Sequence, residues 1–434
     1  MSRPKARAPG GRGTGSAGAG QARRRSSFPR AIVVLIFALG LLARTVVFTG
    51  QHMEGDEVVY RHLVIQLNEG HGYTLQGTPL IGHGFSVDQY GKALFFHPPG
   101  GIVLFWLLTH LFGEAGFPVA QILSYTLFFW SMMALARAVL QPLSGLRLWV
   151  VALLAAFTPI MTHVASRFWL DGPMLAFATL GIALFMSAVQ RQDMRRAIYA
   201  AVAMGFASWV KSSVLMVLPG LLLLGWMVST PDTRRAFLRL ACVFTALTLV
   251  IQLPWEIWQW RVVGSPFPAW AGKPSAELVA TNRYVHFLTA VRPPWMYLTT
   301  MPRTVFTLLP AVACLTLIRM DARARGIGVA LVVWIGLVLA SLIGLGAIGY
   351  SKLLRYAIMV TPATVLLAGL GAGEAWRVYA AGRRGPGGQA LVKLLLVLLA
   401  VGLVLEISQG VFTPLLNRQS DMIVPILLPG RLVY

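Results

Sequence analysis

The chain is built from long apolar runs separated by short, arginine-rich loops, and that pattern leaves few folds open. Runs lie at about 31–49, 118–136, 147–165, 173–190, 197–210, 213–229, 238–255, 301–318, 326–347, 356–376 and 389–408. Several reach, and the rest approach, the roughly 20 residues that a helix needs to cross about 30 Å of hydrocarbon. Backbone groups in lipid must be satisfied within the segment, so helices are the expected solution. The expected fold is therefore an all-α polytopic membrane protein with about 11 transmembrane helices, in a range of 10 to 13. Charged residues make up 12% of the 434, about half of what a soluble domain carries. A soluble enzyme and a disordered chain are both excluded. Cys242 and Cys314 fall inside apolar runs, so no disulfide framework is expected.

Charge placement orients the spans. Residues 1–30 are Gly-, Ala- and Arg-rich, with eight basic and no acidic residues, a composition that buries no core. The run at 31–49 resembles the apolar part of a signal peptide, but no small-residue cleavage pattern follows, so an uncleaved first span is expected. The stretch Gly100–Phe112 is apolar but short; it is either a twelfth span or an interfacial helix. If it does not cross, the tail and the Arg-rich loops share one side, with 23 basic and four acidic residues against 14 basic and 11 acidic on the other. The positive-inside rule favours that arrangement. It makes the N-terminus cytoplasmic, residues 31–408 the transmembrane domain, and 409–434 an outward tail. Two long outer segments result, at about 50–117 and 256–300. The net charge of +22 is then a topology signal and not a nucleic-acid surface, and any chemistry belongs to the outer face.

Candidate chemistry gathers in those outer segments. In Glu54-Gly55-Asp56-Glu57-Val58-Val59-Tyr60, the positions Val59, Tyr60, Leu63, Val64 and Leu67 recur at helical spacing, with Gly70 as a stop. That predicts an amphipathic helix on the membrane with Asp56 and Glu57 at its start, where acids also serve as caps. His97 precedes two prolines that hold the chain extended. Asp171 sits in a tight turn with Arg167 four residues earlier as its expected partner. Lys211, Lys352 and Arg355, with Tyr356 beside it, run against the positive-inside bias. They either snorkel to headgroups or hold a lipid-linked phosphate. Arg44 is expected to snorkel, and Glu406 to lie at the interface. The histidines lack the close pairing of a zinc site.

Taken in order, these motifs resemble the GT-C superfamily of polytopic glycosyltransferases. The similarity is to the branch of protein O-mannosyltransferases, lipid A aminoarabinose transferases and lipid A galacturonosyltransferases. It rests on Arg44, Gly55-Asp56-Glu57 with Tyr60, His97-Pro98-Pro99, Leu111-Phe112-Gly113, Leu170-Asp171-Gly172-Pro173, and Gly205 to Lys211. Pro254-Trp255 with Gly264-Ser265-Pro266-Phe267, and Lys352 with Arg355-Tyr356 and Pro362, complete it. Phe96-His97 stands where aminoarabinose transferases carry Glu-Lys, and Gly100-Gly101 where mannosyltransferases carry Lys.

The resemblance implies an integral membrane glycosyltransferase. It would move a sugar from a polyprenyl-phosphate donor to a lipid, glycan or protein acceptor at the outer face of the cytoplasmic membrane, usually with inversion. It implies Asp56 as base, with Glu57 and Asp171 as further catalytic acids. Lys211, Lys352 and Arg355 would bind the donor phosphate, with Tyr60, His97, Arg167 and Tyr356 in support. No cofactor is expected, and the sequence leaves a divalent metal open. The competing classes are a lipid-linked sugar flippase, which calls for internal repeats that are not found, and an O-antigen ligase or polymerase, which calls for an Arg-rich outer loop.

Overall fold

A computed structural model of the chain describes residues 30–48, 53, 56–78, 97–165, 167–263, 276–281, 283–382, 385–416, 422–423 and 432–433. The basic tail before Arg30, Glu54-Gly55, Phe96, Gly264-Ser265-Pro266-Phe267 and most of the segment after Leu416 lie outside the described residues. The described chain is all-α apart from a two-residue antiparallel pair, Met422–Ile423 with Leu432–Val433.

Helix α1 (Arg30–Phe48) is followed by α2 (Asp56–Asn68), which starts on the two acids. Val59, Tyr60, Leu63 and Val64 are buried on one face of α2, and Arg61 is exposed on the other. The expected stop holds: the helix ends at Asn68 and Gly70 takes φ +77°, a conformation that costs glycine little. Helix α3 (Gly100–Phe112) packs on α2. At Gly113 (φ +59°) the chain turns back into α4 (Gly116–Val139). The rings of Phe105 and Phe117 stand 5.3 Å apart between centroids, where one straight helix would separate those residues by about 18 Å. The stretch 100–139 is therefore bent, and α3 is a separate short helix.

The predicted run 147–165 is also divided. Helix α5 (Gly145–Phe157) stops at Thr158 and α6 (Pro159–Ala165) resumes, because the residue before a proline is pushed out of the helical region. Helices α7 (Asp171–Arg191) and α8 (Met194–Val210) form a hairpin packed on α4 and on α10 (Arg234–Val263). Small residues set the approach: a Cβ at Gly181 would meet the Ala200 carbonyl oxygen at 3.0 Å, the close packing expected of membrane helices. After α8 come a 3₁₀ segment (Ser212–Val217) and α9 (Leu218–Val228). Two short helices, α11 (Ala276–Thr281) and α12 (Arg283–His286), lead to a π-turn (Phe287–Val291). Then follow α13 (Met296–Thr304), α14 (Leu308–Leu317) and α15 (Ala322–Ala347). A 3₁₀ segment (Leu354–Val360) leads into α16 (Thr361–Ala380), and α17 is Pro386–Leu416. Helix α16 is the most enclosed and packs against α5, α14, α15 and α17.

Among the described residues, seven helical stretches are long and apolar enough to cross a membrane, or eight if α13 and α14, bent by 93°, count as one. The expectation of about eleven is not matched one for one. The runs 197–210 and 213–229 become helices of 17 and 11 residues, and 301–318 is broken between Thr304 and Leu308. Hydropathy averages across such breaks and does not register them.

Two further expectations are corrected. Arg44 does not snorkel: it is 2% exposed, donates to the carbonyls of Gly40 (2.7 Å) and Ala156 (2.8 Å), and lies 3.8 Å over the Tyr125 ring. Glu406 does not face out of the protein: it is 1% exposed and accepts from the hydroxyl of Thr158 (3.2 Å) and from the hydroxyl (2.9 Å) and amide (3.2 Å) of Thr307. Thr158 and Thr307 mark the α5–α6 break and the start of α14, so this carboxyl joins two interrupted helices. Both side chains find backbone or hydroxyl partners inside the protein.

Candidate functional site

The hairpin α7–α8 puts Asp171 and Lys211 at one end of the bundle and Arg191, Asp193, Arg195 and Arg196 at the other. The end with Asp171 also receives the start of α2, the turn before α7, and the 3₁₀ segment before α16. These pieces carry most of the candidate residues.

Asp56 and Arg355, 299 positions apart, form an ion pair. The Asp56 side chain is 32% exposed, whereas that of Arg355 is buried. Lys211 donates to Asp171 Oδ1 at 2.8 Å, both side chains being nearly fully buried. Lys211 adopts an extended backbone (φ −160°, ψ 114°) between α8 and the following 3₁₀ segment. Its ammonium lies 4.8 Å from the Tyr356 ring, and the Arg355 guanidinium lies 4.4 Å over Trp169. Arg355 Nε and Asp171 Oδ2 are buried with no hydrogen-bond partner among the described residues.

Electrostatics ties the cluster together. Burial raises the Asp56 carboxyl, but the nearby Arg355 and Lys211 cations more than offset this and hold it below the usual carboxylate range. Burial pulls Lys211 down and Asp171 restores part of the shift, leaving it below the ordinary lysine value. Burial and Lys211 push the His97 imidazole well down, so it is neutral at pH 7. His97 is anchored through its backbone, whose carbonyl accepts from the Tyr73 hydroxyl at 2.8 Å.

Two sequence expectations are placed differently. Arg167 does not pair with Asp171. It pairs with Glu57 at 3.3 Å, each side chain 1% exposed, and Glu57 also accepts the Phe168 amide at 2.6 Å. The four-residue spacing fails because α7 begins only at Asp171, so no helical turn links 167 to 171. Glu57 and Arg167 thus fasten α2 to the turn before α7. Tyr60 is buried against α3, with its ring 6.4 Å from Phe105. Lys352 is not brought to the cluster. Its ammonium donates to the Thr289 carbonyl, its own carbonyl accepts from Arg292 at 2.6 Å, and its amide donates to Leu288 at 3.2 Å. Lys352 holds the 287–292 turn against the site.

Trp169 and Tyr73 were missed in the sequence. Trp169 immediately precedes the Leu170-Asp171-Gly172-Pro173 motif, and an aromatic at a membrane surface among cations is a readable signal. Among the described residues, no three His, Cys, Asp or Glu side chains gather closely enough to hold a metal ion. What the arrangement offers is an accessible carboxylate beside two buried cations.

Residues 96–258 match the family described as dolichyl-phosphate-mannose-protein mannosyltransferase. No curated protein matches the chain in sequence. In fold, the chain is similar to ArnT from Cupriavidus metallidurans bound to undecaprenyl phosphate. The TM-score is 0.53 at 20% identity, over 90% of this chain and 73% of that one. It is also similar to the oligosaccharyltransferase AglB from Archaeoglobus fulgidus in complex with an inhibitory peptide and a dolichol-phosphate. There the TM-score is 0.51 at 12% identity, over 89% of this chain and 56% of that one. Over residues 96–258 the chain is thus similar to that mannosyltransferase family, and it shares the fold of ArnT and AglB.

Proposed function

We propose that this protein transfers a sugar from a polyprenyl-phosphate donor to a lipid, glycan or protein acceptor at the outer face of the cytoplasmic membrane. The observation that carries this reading is the convergence of Asp56, Lys211 and Arg355 from three distant parts of the chain on one end of the bundle. The similarity in fold to ArnT bound to undecaprenyl phosphate and to AglB in complex with a dolichol-phosphate supports this reading. The charge asymmetry of the loops supports the outward orientation.

The chemistry assigns one task to each group. The acceptor oxygen attacks the anomeric carbon, the carbon–oxygen bond to phosphate breaks, and polyprenyl phosphate leaves with the bonding pair. Lys211 and Arg355 stabilise the charge that grows on the leaving phosphate, and Arg355 has an unspent Nε donor. Asp56, ionised and part-exposed, takes the acceptor proton. Asp171 positions Lys211 through its 2.8 Å contact, while Glu57 and Arg167 hold α2 in register. Lys352 acts at one remove by securing the 287–292 turn.

The test is turnover of purified protein in nanodiscs with radiolabelled polyprenyl-phosphate sugars and membrane extracts as acceptors. Asp56→Asn is expected to lower kcat by about 10²–10⁴-fold with donor binding retained. Full turnover in that variant removes Asp56 as the base. Movement of labelled lipid across the bilayer without a covalent product would instead support a flippase.

A further inference from the structure

The outer end of α10 carries polar side chains that the cluster above does not use. Gln252, Trp255, Glu256 and Gln259 recur at helical spacing and form one stripe. Gln252 and Gln259 are 2% exposed and Trp255 is 5% exposed, whereas Leu249, Val250, Leu253, Ile257 and Trp260 on the other side are exposed. The polar stripe therefore faces the protein and the apolar side faces lipid.

The stripe is tied to the site at two points. Gln252 donates to the Ser212 hydroxyl at 3.0 Å, next to Lys211, and to Glu256 at 2.5 Å. Trp255 meets the Tyr73 ring edge-on at 6.3 Å, and the Tyr73 hydroxyl holds the His97 carbonyl. Trp255 also stacks on Trp258 at 4.7 Å. Three polar atoms on this stripe are buried with no hydrogen-bond partner among the described residues: Gln252 Oε1, Trp255 Nε1 and Glu256 Oε2. Buried polar atoms normally have partners, so three orphans on one helix face point to a ligand.

Their chemistry narrows that ligand. Two of the three are acceptors, one of them on a carboxyl group, so a phosphate is not what they suit. A prenyl tail supplies no hydrogen bonds. A group is required that both donates and accepts and tolerates an indole–phenol wall, and the hydroxyls and C–H faces of a pyranose meet all of these conditions. We infer that Gln252, Trp255 and Glu256 form a pyranose-binding subsite beside the phosphate cations, an assignment that rests on the glycosyl-transfer reading above. A pyranose could reach it as part of the donor or of a glycan acceptor.

Short-chain probes separate these cases. Affinities of the full-length protein in detergent are measured for citronellyl phosphate, for its mannosyl, glucosyl, galactosyl and arabinopyranosyl esters, and for the methyl pyranosides. Wild type is expected to bind at least one glycosyl ester about tenfold more tightly than citronellyl phosphate, as one or two good hydrogen bonds provide. Trp255→Phe, which keeps an aromatic ring, and Glu256→Gln should each erase most of that increment while binding of citronellyl phosphate stays within about twofold. Retained citronellyl phosphate binding also reports that the variants fold. An unchanged increment with weakened methyl pyranoside binding makes the acceptor the source of the pyranose. If both variants leave the increment and the methyl pyranoside affinities unchanged while citronellyl phosphate binds normally, the subsite is wrong and the transferase reading stands. If wild type binds no citronellyl phosphate, the phosphate reading fails, and the methyl pyranosides still decide the subsite.

Discussion

The pair Lys211–Asp171 separates structural work from chemistry. At 2.8 Å the gross attraction is about 6 kcal/mol at an effective dielectric of about 20. Removing two nearly fully buried ions from water costs several kcal/mol each, so the intact pair adds little net stability. Breaking it is different. Lys211→Met leaves Asp171 charged and buried without its cation, and should destabilise by about 3–5 kcal/mol. Asp171→Asn leaves the ammonium unpaired and should cost a similar amount. In the double variant Lys211→Met/Asp171→Asn neither charge remains, and stability should return to within about 1–2 kcal/mol of wild type. Donor binding should not return with it, because the ammonium that would face the phosphate is gone. Unfolding in detergent, read by the thermal midpoint, and titration with citronellyl phosphate measure the two quantities on the same preparations. A double variant that regains both stability and phosphate affinity would show that Lys211 serves only to neutralise Asp171, and would falsify its role as a phosphate ligand.

Glu57→Gln tests the opposite assignment. It removes the carboxylate that pairs with Arg167 at 3.3 Å, so a stability loss of up to about 3–5 kcal/mol is expected, with turnover per folded molecule close to wild type; a large fall in kcat at full stability would move Glu57 into the chemistry. The pH profile follows from the site's charges. Asp56 is held below the ordinary carboxylate range by its cations, so the acid limb should fall below about pH 4, and protonated base should lose activity only there. His97 lies well below its ordinary value, so no inflection is expected near pH 6.5, which kcat against pH in wild type and His97→Gln decides. Lys211 lies below the usual lysine value, so affinity for citronellyl phosphate should weaken on the alkaline side before pH 10.4, the model-peptide value being about that, and a flat affinity to pH 10.5 would contradict the shift.

How much of this was legible in the sequence depended on whether the information is local. The start of α2 at Asp56 and its end before Gly70 are written in adjacent residues, through capping chemistry and helical spacing, and the structure agrees. The helix break at Thr158–Pro159 was hidden in continuous hydropathy, although Pro159 itself was visible, whereas the break at Lys211 falls in the gap between the runs 197–210 and 213–229. Charge pairing was the least legible. Arg167 looked like the partner of Asp171 because the spacing suits a helix, yet no helix connects them, and Glu57, more than a hundred positions earlier, takes Arg167 in its place. Asp56 and Arg355 could not be paired from spacing at all. The same non-locality explains why these ions are concentrated at one end. Each hairpin of spans returns its turn to the same membrane face, so groups hundreds of positions apart become neighbours when their turns share a side. A carboxylate or cation in such a turn is costly in or near lipid unless another turn supplies its partner. Lys211 with Asp171, Arg355 with Asp56, and Arg167 with Glu57 meet that requirement, and in meeting it they assemble the charges that a phosphate-leaving reaction needs.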